Sequence, residues 1–130
     1  MYSIGLITKT KITAEKVSQK LIDSFPYKKR ILQNDENELY IGFIPREFFI
    51  MYDDSKSIDD PDCLFEEWEK KLIPFENALY TNLFYRDENV AKYAVKIIMQ
   101  EYPELIVNDE DNEYLTAEEY LKKPNIDFSK

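Results

Sequence analysis

The sequence predicts a single α+β domain with a mixed β-sheet and about four helices, in the order β-α-β-β-β-α-β-α-β-α. Short runs rich in Ile, Phe and Tyr, typical of strands, alternate with segments whose apolar residues recur at helical spacing. A chain of 130 residues holds one core and is too short for two. No segment rich in Pro, Gly or Ser divides it. Residues 1–130 are therefore expected to form one domain, with 124–130 as a flexible tail.

The first part of the chain predicts a strand, a helix and three further strands. Ser3 to Thr8 is a short apolar run suited to a strand. Residues 13–25 predict the first helix, because apolar residues recur at helical spacing, Thr13 can cap its start and Pro26 ends it. Three antiparallel strands are predicted at residues 30–32, 39–44 and 46–52.

The second helix is predicted to start at Asp60 and Pro61, since a capping Asp followed by Pro is typical of a helix start. Pro74 ends it. Its apolar face would consist of four residues, namely Leu64, Phe65, Trp68 and Leu72. Because this face is expected to pack inward, Trp68 is predicted to be a core residue. Cys63 is predicted to be buried beside it as a small hydrophobic residue.

The remaining segments predict two strands and two helices. Residues 78–85 are apolar on both alternating faces, as in a covered strand, and a helix follows at 88–102, capped by Asp87. With the next strand at 105–107, this order predicts a parallel crossover. Thr116 and Glu119 form a capping box that opens a last helix, residues 117–123.

Charge is unevenly distributed along the chain. Residues 1–52 carry eight Lys/Arg and six Asp/Glu, whereas residues 53–130 carry nine and twenty. The acids concentrate in two runs, 53–62 and 108–113, and no basic residue occurs in 97–121. Such a distribution creates a negative potential over part of the surface and favours partners with basic surfaces. It also opposes binding to nucleic acid, whose phosphates require positive charge.

Two absences argue against catalysis. The chain has no histidine, which removes the usual general base near neutral pH. Its two glycines, Gly5 and Gly42, form no phosphate-binding loop. The second acidic run does not fit a calcium-binding EF-hand, because Tyr114 and Tyr120 occupy the positions that require Gly and Glu. We therefore expect no enzymatic activity, no cofactor and no metal.

The sequence also suggests where the protein resides. Its amino terminus lacks the basic start and long apolar stretch of a signal peptide, and no run is long enough to span a bilayer. A single cysteine is compatible with a reducing compartment. A cytoplasmic location without membrane contact is expected.

The carboxy-terminal part resembles the small acidic immunity proteins of bacterial contact-dependent growth inhibition and other polymorphic toxin systems. Four segments carry the resemblance: the strand 78–85, the helix 87–98, the segment 102–109 and the capped helix 116–121. The resemblance implies a cytoplasmic antidote that binds one cognate toxin domain, often a nuclease, and blocks it without chemistry.

The functional hypothesis is therefore a non-catalytic immunity protein whose acidic loops dock on the basic surface of a toxin domain. Two alternatives stay open: a nucleic-acid mimic that inhibits a DNA-binding protein, and a carboxylate-dependent enzyme. Tyrosines beside the acids would add amphipathic contact area. The predicted partner-binding residues are Tyr52, Asp53, Asp54, Asp59, Asp60, Asp62, Asp109, Glu110, Asp111, Glu113 and Tyr114.

Overall fold

A computed structural model of the chain describes residues 2–12, 14–24, 29–34, 38–43, 47–52, 56–60, 65–86 and 88–123. Within these ranges it contains eight strands and four helices in one sheet-based domain, which confirms the predicted α+β class. The elements in chain order are β1 (Tyr2–Thr8), α1 (Ala14–Ser24), β2 (Lys29–Asn34), β3 (Glu38–Phe43), β4 (Glu47–Tyr52), β5 (Lys56–Ser57), α2 (Glu67–Lys70), β6 (Leu79–Tyr85), α3 (Glu88–Glu101), β7 (Ile106–Asn108), β8 (Tyr114–Thr116) and α4 (Ala117–Lys122).

The strands form one sheet in the order β2-β3-β4-β6-β1-β7-β8, and the short β5 pairs with the start of β6. Every pairing between described strands is antiparallel, so the sheet is not the mixed sheet that was predicted. The predicted crossover from β6 through α3 to β7 does join two strands that run in the same direction. They are not neighbours, however, because β1 lies between them and pairs with both.

Side chains on the two faces of the central strand β1 enter two separate cores. Ile4 and Leu6 pack into the larger core with α1, α3 and α4. Ile7 faces the other way into a smaller core with Ile58, Ile73, Ala78 and Ile106. This alternation follows from the period of two in a strand. Three helices thus cover one face of the sheet, and the region around α2 covers part of the other.

Local capping signals explain where two of the helices begin. In α4, Thr116 accepts a hydrogen bond from the Glu119 amide at 3.1 Å, and the Glu119 carboxylate accepts one from the Thr116 amide at 3.0 Å. The predicted capping box is confirmed. In α2, which begins at Glu67, the Glu66 amide donates to the Glu69 carboxylate at 3.2 Å in an analogous box. The predicted start at Pro61 lies outside the described residues.

Several predicted features lie outside the described residues. These include two of the predicted caps, the proline of the second helix, the cysteine, one residue of the predicted apolar face and the tail: Thr13, Asp87, Pro61, Cys63, Leu64 and 124–130. None of the helices in the described part is long and apolar enough to cross a membrane.

Candidate protein-binding surface

The second acidic run forms the loop between β7 and β8, and its first acid stabilises the loop from inside. Asp109 is 5% exposed. Its Oδ1 accepts hydrogen bonds from the amides of Asp111 at 3.0 Å and Glu113 at 2.9 Å. A carboxylate that accepts two backbone N–H groups orders a turn in the way an Asx-turn does. Because its side chain is buried, Asp109 does not present the docking carboxylate that the sequence predicted.

Lys123 neutralises part of this loop. Lys123 follows α4 directly, and its Nζ donates a hydrogen bond to Oδ2 of Asp109. The same Nζ lies 2.9 Å from Oδ2 of Asp111 and 3.9 Å from Oε1 of Glu113. Hydrogen bonds to Asp109 and Asp111 raise the pKa of Lys123 above its usual value. Lys123, two residues beyond the stretch 97–121 that has no basic residue, thus lies among the carboxylates of the acidic run.

Glu110 points inward instead of toward solvent. Both of its carboxylate oxygens are buried and make no hydrogen bond within the described part of the chain. Burial raises the pKa of the Glu110 carboxyl group. The hydroxyl of the fully buried Tyr120 also lacks a hydrogen-bond partner among the described residues, and burial followed by the charge of Glu110 raises its pKa. Glu110 is therefore a poor candidate for direct contact with a partner.

The described part of the first acidic run follows β5. Asp59 is exposed, and one of its oxygens lies 3.4 Å from Nζ of Lys70. Asp60 is half-buried, and its amide donates to the carbonyl of Ser57 at 3.0 Å. Tyr52 ends β4, where its backbone pairs with Glu38. Three predicted site residues, Asp53, Asp54 and Asp62, lie outside the described residues.

The described parts of the two acidic runs lie at different ends of the sheet. Leu79 of β6 pairs with Thr8 of β1 on one side and with Ser57 of β5 on the other, so Ser57 and Thr8 lie at the same height in the sheet. Asp59, two residues after Ser57, therefore lies beyond the end of β1. Asn108 pairs with Gly5, so the loop that follows it runs toward the start of β1. At about 3.3 Å per residue and 4.8 Å per strand, the described acids of the two runs are more than about 20 Å apart. They do not form one acidic patch.

Tyr114 connects the last strand to α2. Its ring packs against the smaller core, and its hydroxyl donates a hydrogen bond to Oε2 of Glu69. Burial raises the pKa of Tyr114, with this hydrogen bond as the second cause. The contact holds α2 over the sheet face that α1, α3 and α4 leave uncovered. Tyr114 was predicted as a partner-binding residue, and the structure gives it a second role, which is to position α2.

Trp68 is exposed, contrary to the prediction that it is a core residue, and so is Leu72 of the same predicted apolar face. Their exposed fractions are 51% and 53%, and α2 contains no buried residue. The inward contacts of this region are made by Phe65 and Ile73 instead. Large apolar side chains exposed together mark interaction sites more often than isolated ones.

Exposed carboxylates border these two side chains. Glu66 accepts a hydrogen bond from the Trp68 indole nitrogen at 2.5 Å. Glu67 is linked through Lys70 to Asp59, since Nζ lies 3.7 Å from the Glu67 carboxylate and 3.4 Å from that of Asp59. We call the exposed side chains of this region the α2 surface; it consists of Asp59, Glu66, Glu67, Trp68, Lys71 and Leu72.

Sequence reasoning missed this surface, although one signal was present. Trp68 stands between Glu66-Glu67 and Glu69-Lys70-Lys71, so charged residues flank it closely on both sides. A helix that buries its tryptophan usually shows a wider apolar stripe than this segment offers.

An open pocket of about 540 Å³ adjoins the α2 surface, with Asp59 and Lys70 in its lining. Among the described residues, no group of three or more His, Cys, Asp or Glu side chains is arranged to hold a metal ion.

Comparisons with protein-family models, curated proteins and solved structures find no match to the chain.

Proposed function

We propose that this chain is a non-catalytic bacterial immunity protein, which neutralises a cognate toxin domain in the cytoplasm by docking the α2 surface on a basic region of the toxin. The observation that carries the proposal is the pair of half-exposed apolar side chains, Trp68 and Leu72, bordered by exposed carboxylates. The resemblance of residues 78–123 to immunity proteins supplies the class of partner.

The apolar part of the surface would provide affinity. Tryptophan is among the residues most enriched at the energetic centres of protein interfaces, because it buries a large area at low cost in conformational entropy. Leu72, four residues further along, extends the contact area. Both side chains already lie in solvent, so docking requires no opening of the core.

The charged part would provide speed and selectivity. Asp59, Glu66 and Glu67 are exposed and outnumber the exposed Lys71. A negative rim around an apolar centre accelerates association with a positively charged partner and disfavours acidic ones. A nucleic-acid mimic would require carboxylates that follow one long face. The described acids of the two runs are more than about 20 Å apart. This separation and the neutralising contacts of Lys123 favour a local docking surface instead.

Protection of bacterial cells tests the proposal. The reading frames beside the chain's gene are searched for a protein that ends in a basic domain, the chain is co-expressed with that domain, and surviving cells are counted. We expect the unchanged chain to protect and Trp68→Ala to reduce protection strongly. Tyr93→Ala serves as the matched control, because Tyr93 is 38% exposed on α3, away from the α2 surface. Equal protection by both variants would exclude the α2 surface, and no protection by the unchanged chain would refute the immunity function.

A further inference from the structure

The pocket beside the α2 surface has the shape and charge to receive a basic side chain. Its volume of about 540 Å³ lies within the range of small-ligand pockets. Ile58 and Ile73, which are 5% and 6% exposed, supply apolar lining together with Phe75. Such a lining suits the aliphatic stem of an arginine or lysine, which packs on apolar surface while its charged end stays among polar groups.

The charged groups in the pocket are unbalanced. Asp59 and Glu76 provide two carboxylates, whereas Lys70 provides one cation. Glu76 is exposed and makes no hydrogen bond or salt bridge with the residues that the structure describes. The pocket therefore has a carboxylate available for a second positive charge.

The contact that Lys70 makes inside the pocket is weak. Its Nζ lies 3.4 Å from Asp59 and 3.7 Å from Glu67, which is longer than the usual hydrogen-bond distance to a carboxylate. Ion pairs of this kind at a surface contribute little to stability. A guanidinium group, which can make two parallel hydrogen bonds to one carboxylate, is expected to displace the lysine from Asp59.

Backbone contacts order two walls of the pocket. The amide of Ile58 donates to the carbonyl of Ala78 at 3.0 Å, which ties the turn after β5 to the residue before β6. Asn77 has a φ of 55°, a left-handed conformation that Asn tolerates better than most residues and that closes the turn on the other side. A preformed site avoids the cost of ordering its walls on binding.

We propose that this pocket receives an arginine side chain of the partner protein, with Asp59 and Glu76 contacting the guanidinium and Ile58 and Ile73 contacting its aliphatic stem. The inference rests on the proposed function for the identity of the partner. It goes further because it assigns one chemical group, a guanidinium, to one pocket. In the complex, this guanidinium takes the place of Lys70 at Asp59.

The experiment uses a small probe, so that it does not depend on any toxin. Nα-acetyl-arginine amide is titrated into the isotope-labelled full chain, and amide chemical shifts are followed by NMR. Nα-acetyl-citrulline amide, which has nearly the same shape and no charge, is the control ligand. We expect saturable shifts at Asp59, Ile73, Glu76 and Asn77 with the arginine probe and at least about tenfold weaker binding of citrulline. Equal binding of the two probes, or no shift in the pocket, would overturn the proposal.

Variants identify the groups involved. Asp59→Asn together with Glu76→Gln is expected to remove binding of the arginine probe while leaving the spectrum of a folded protein. Lys70→Met should tighten binding by about three- to tenfold, because it removes the competing cation. Lys71→Met removes the same charge from an exposed neighbour and should change affinity less than about twofold. If the two lysine variants behave alike, Lys70 does not compete for the pocket and the proposed displacement is wrong.

The result is separable from the test of the proposed function. Arginine binding without protection against the toxin would support the arginine pocket and refute the immunity role. Protection without arginine binding would support the immunity role and refute the arginine pocket.

Discussion

The side chain of Lys123 reaches from the end of α4 to three carboxylates of the β7–β8 loop. The buried Asp109 among them also accepts two backbone amides, so it is held by hydrogen bonds on both oxygens. Charge-assisted hydrogen bonds to a buried carboxylate are stronger than exposed ion pairs. This contact therefore stabilises the fold, and it removes charge from a run that appears purely acidic in the sequence.

Replacing Lys123 is expected to destabilise the protein. Lys123→Gln leaves the buried charge of Asp109 without its cation and should lower the free energy of unfolding by about 1–3 kcal/mol. Because the pKa of Lys123 is raised, this contribution is fully present at pH 7 and is lost only as the pH rises above the ordinary lysine value. Urea unfolding at pH 7 measures it. Lys122→Gln, an exposed neighbour, is the control, and equal losses in both variants would contradict the structural role of Lys123.

Glu110 should have the opposite effect on stability. Its pKa is raised by burial, so the folded protein binds a proton more readily than the unfolded chain does. The cost of holding Glu110 charged is present above its folded pKa and disappears as the pH falls through that value. Glu110→Gln is thus expected to be more stable than the parent at pH 7.5, by up to about 1 kcal/mol, and the difference should shrink toward pH 4.5.

Thermal unfolding at a series of pH values checks this expectation for Glu110. The exposed Glu118→Gln controls for the change in net charge. A stability difference that grows as the pH falls would have the wrong sign and would show that Glu110 is not held charged in an apolar site.

At the scale of elements, the sequence predicted best where local physics decides the outcome. The bounds of α3 and α4 followed from helical spacing and from the Thr116–Glu119 box, whose bonds depend on neighbours three residues apart. The short β5 and β8 were missed, because two or three residues carry too little pattern. Trp68 was misplaced because helical spacing was applied to a long segment, in the described part of which the helix covers Glu67–Lys70 alone.

Gly5 shows a constraint that no local pattern reveals. It lies in the middle of β1, and a β-carbon there would overlap the ring of Tyr80 on the neighbouring strand β6. An aromatic ring that covers a glycine across two strands fixes their register. The ring also contacts the smaller core, edge-on to Phe65. Only knowledge of which strands pair could have predicted this role for Gly5.

Gly5→Ala is expected to lower the free energy of unfolding by about 1–3 kcal/mol, because the Tyr80 ring must move away from the smaller core. In the Tyr80→Ala background the same substitution should cost clearly less, since the ring is absent. Urea unfolding of the four proteins gives the coupling. Ser3→Ala, an exposed position on the same strand, should change stability by less than about 0.5 kcal/mol. Additive effects of the two substitutions would contradict the packing of Tyr80 on Gly5.

For the whole molecule, net charge describes the surface poorly. The value of −9 includes a buried aspartate and an inward-pointing glutamate, and it hides a lysine bound within the second acidic run. The sequence correctly placed the acids in two runs. Their separation across the sheet depended on the pairing of β5 with β6 and of β7 with β1, which composition does not encode. The candidate site moved accordingly to the α2 surface.

Association kinetics with the proposed toxin partner test the central claim most directly. Rates and Kd are measured by stopped-flow at several salt concentrations. We predict that Trp68→Ala weakens binding by about 30-fold or more, mainly through faster dissociation. Glu66→Gln with Glu67→Gln should slow association and flatten its salt dependence. Asp111→Asn with Glu113→Gln, which removes the same number of exposed acids from the β7–β8 loop, should leave the rates nearly unchanged. Slower association in that loop variant, with normal binding by Trp68→Ala, would contradict the account.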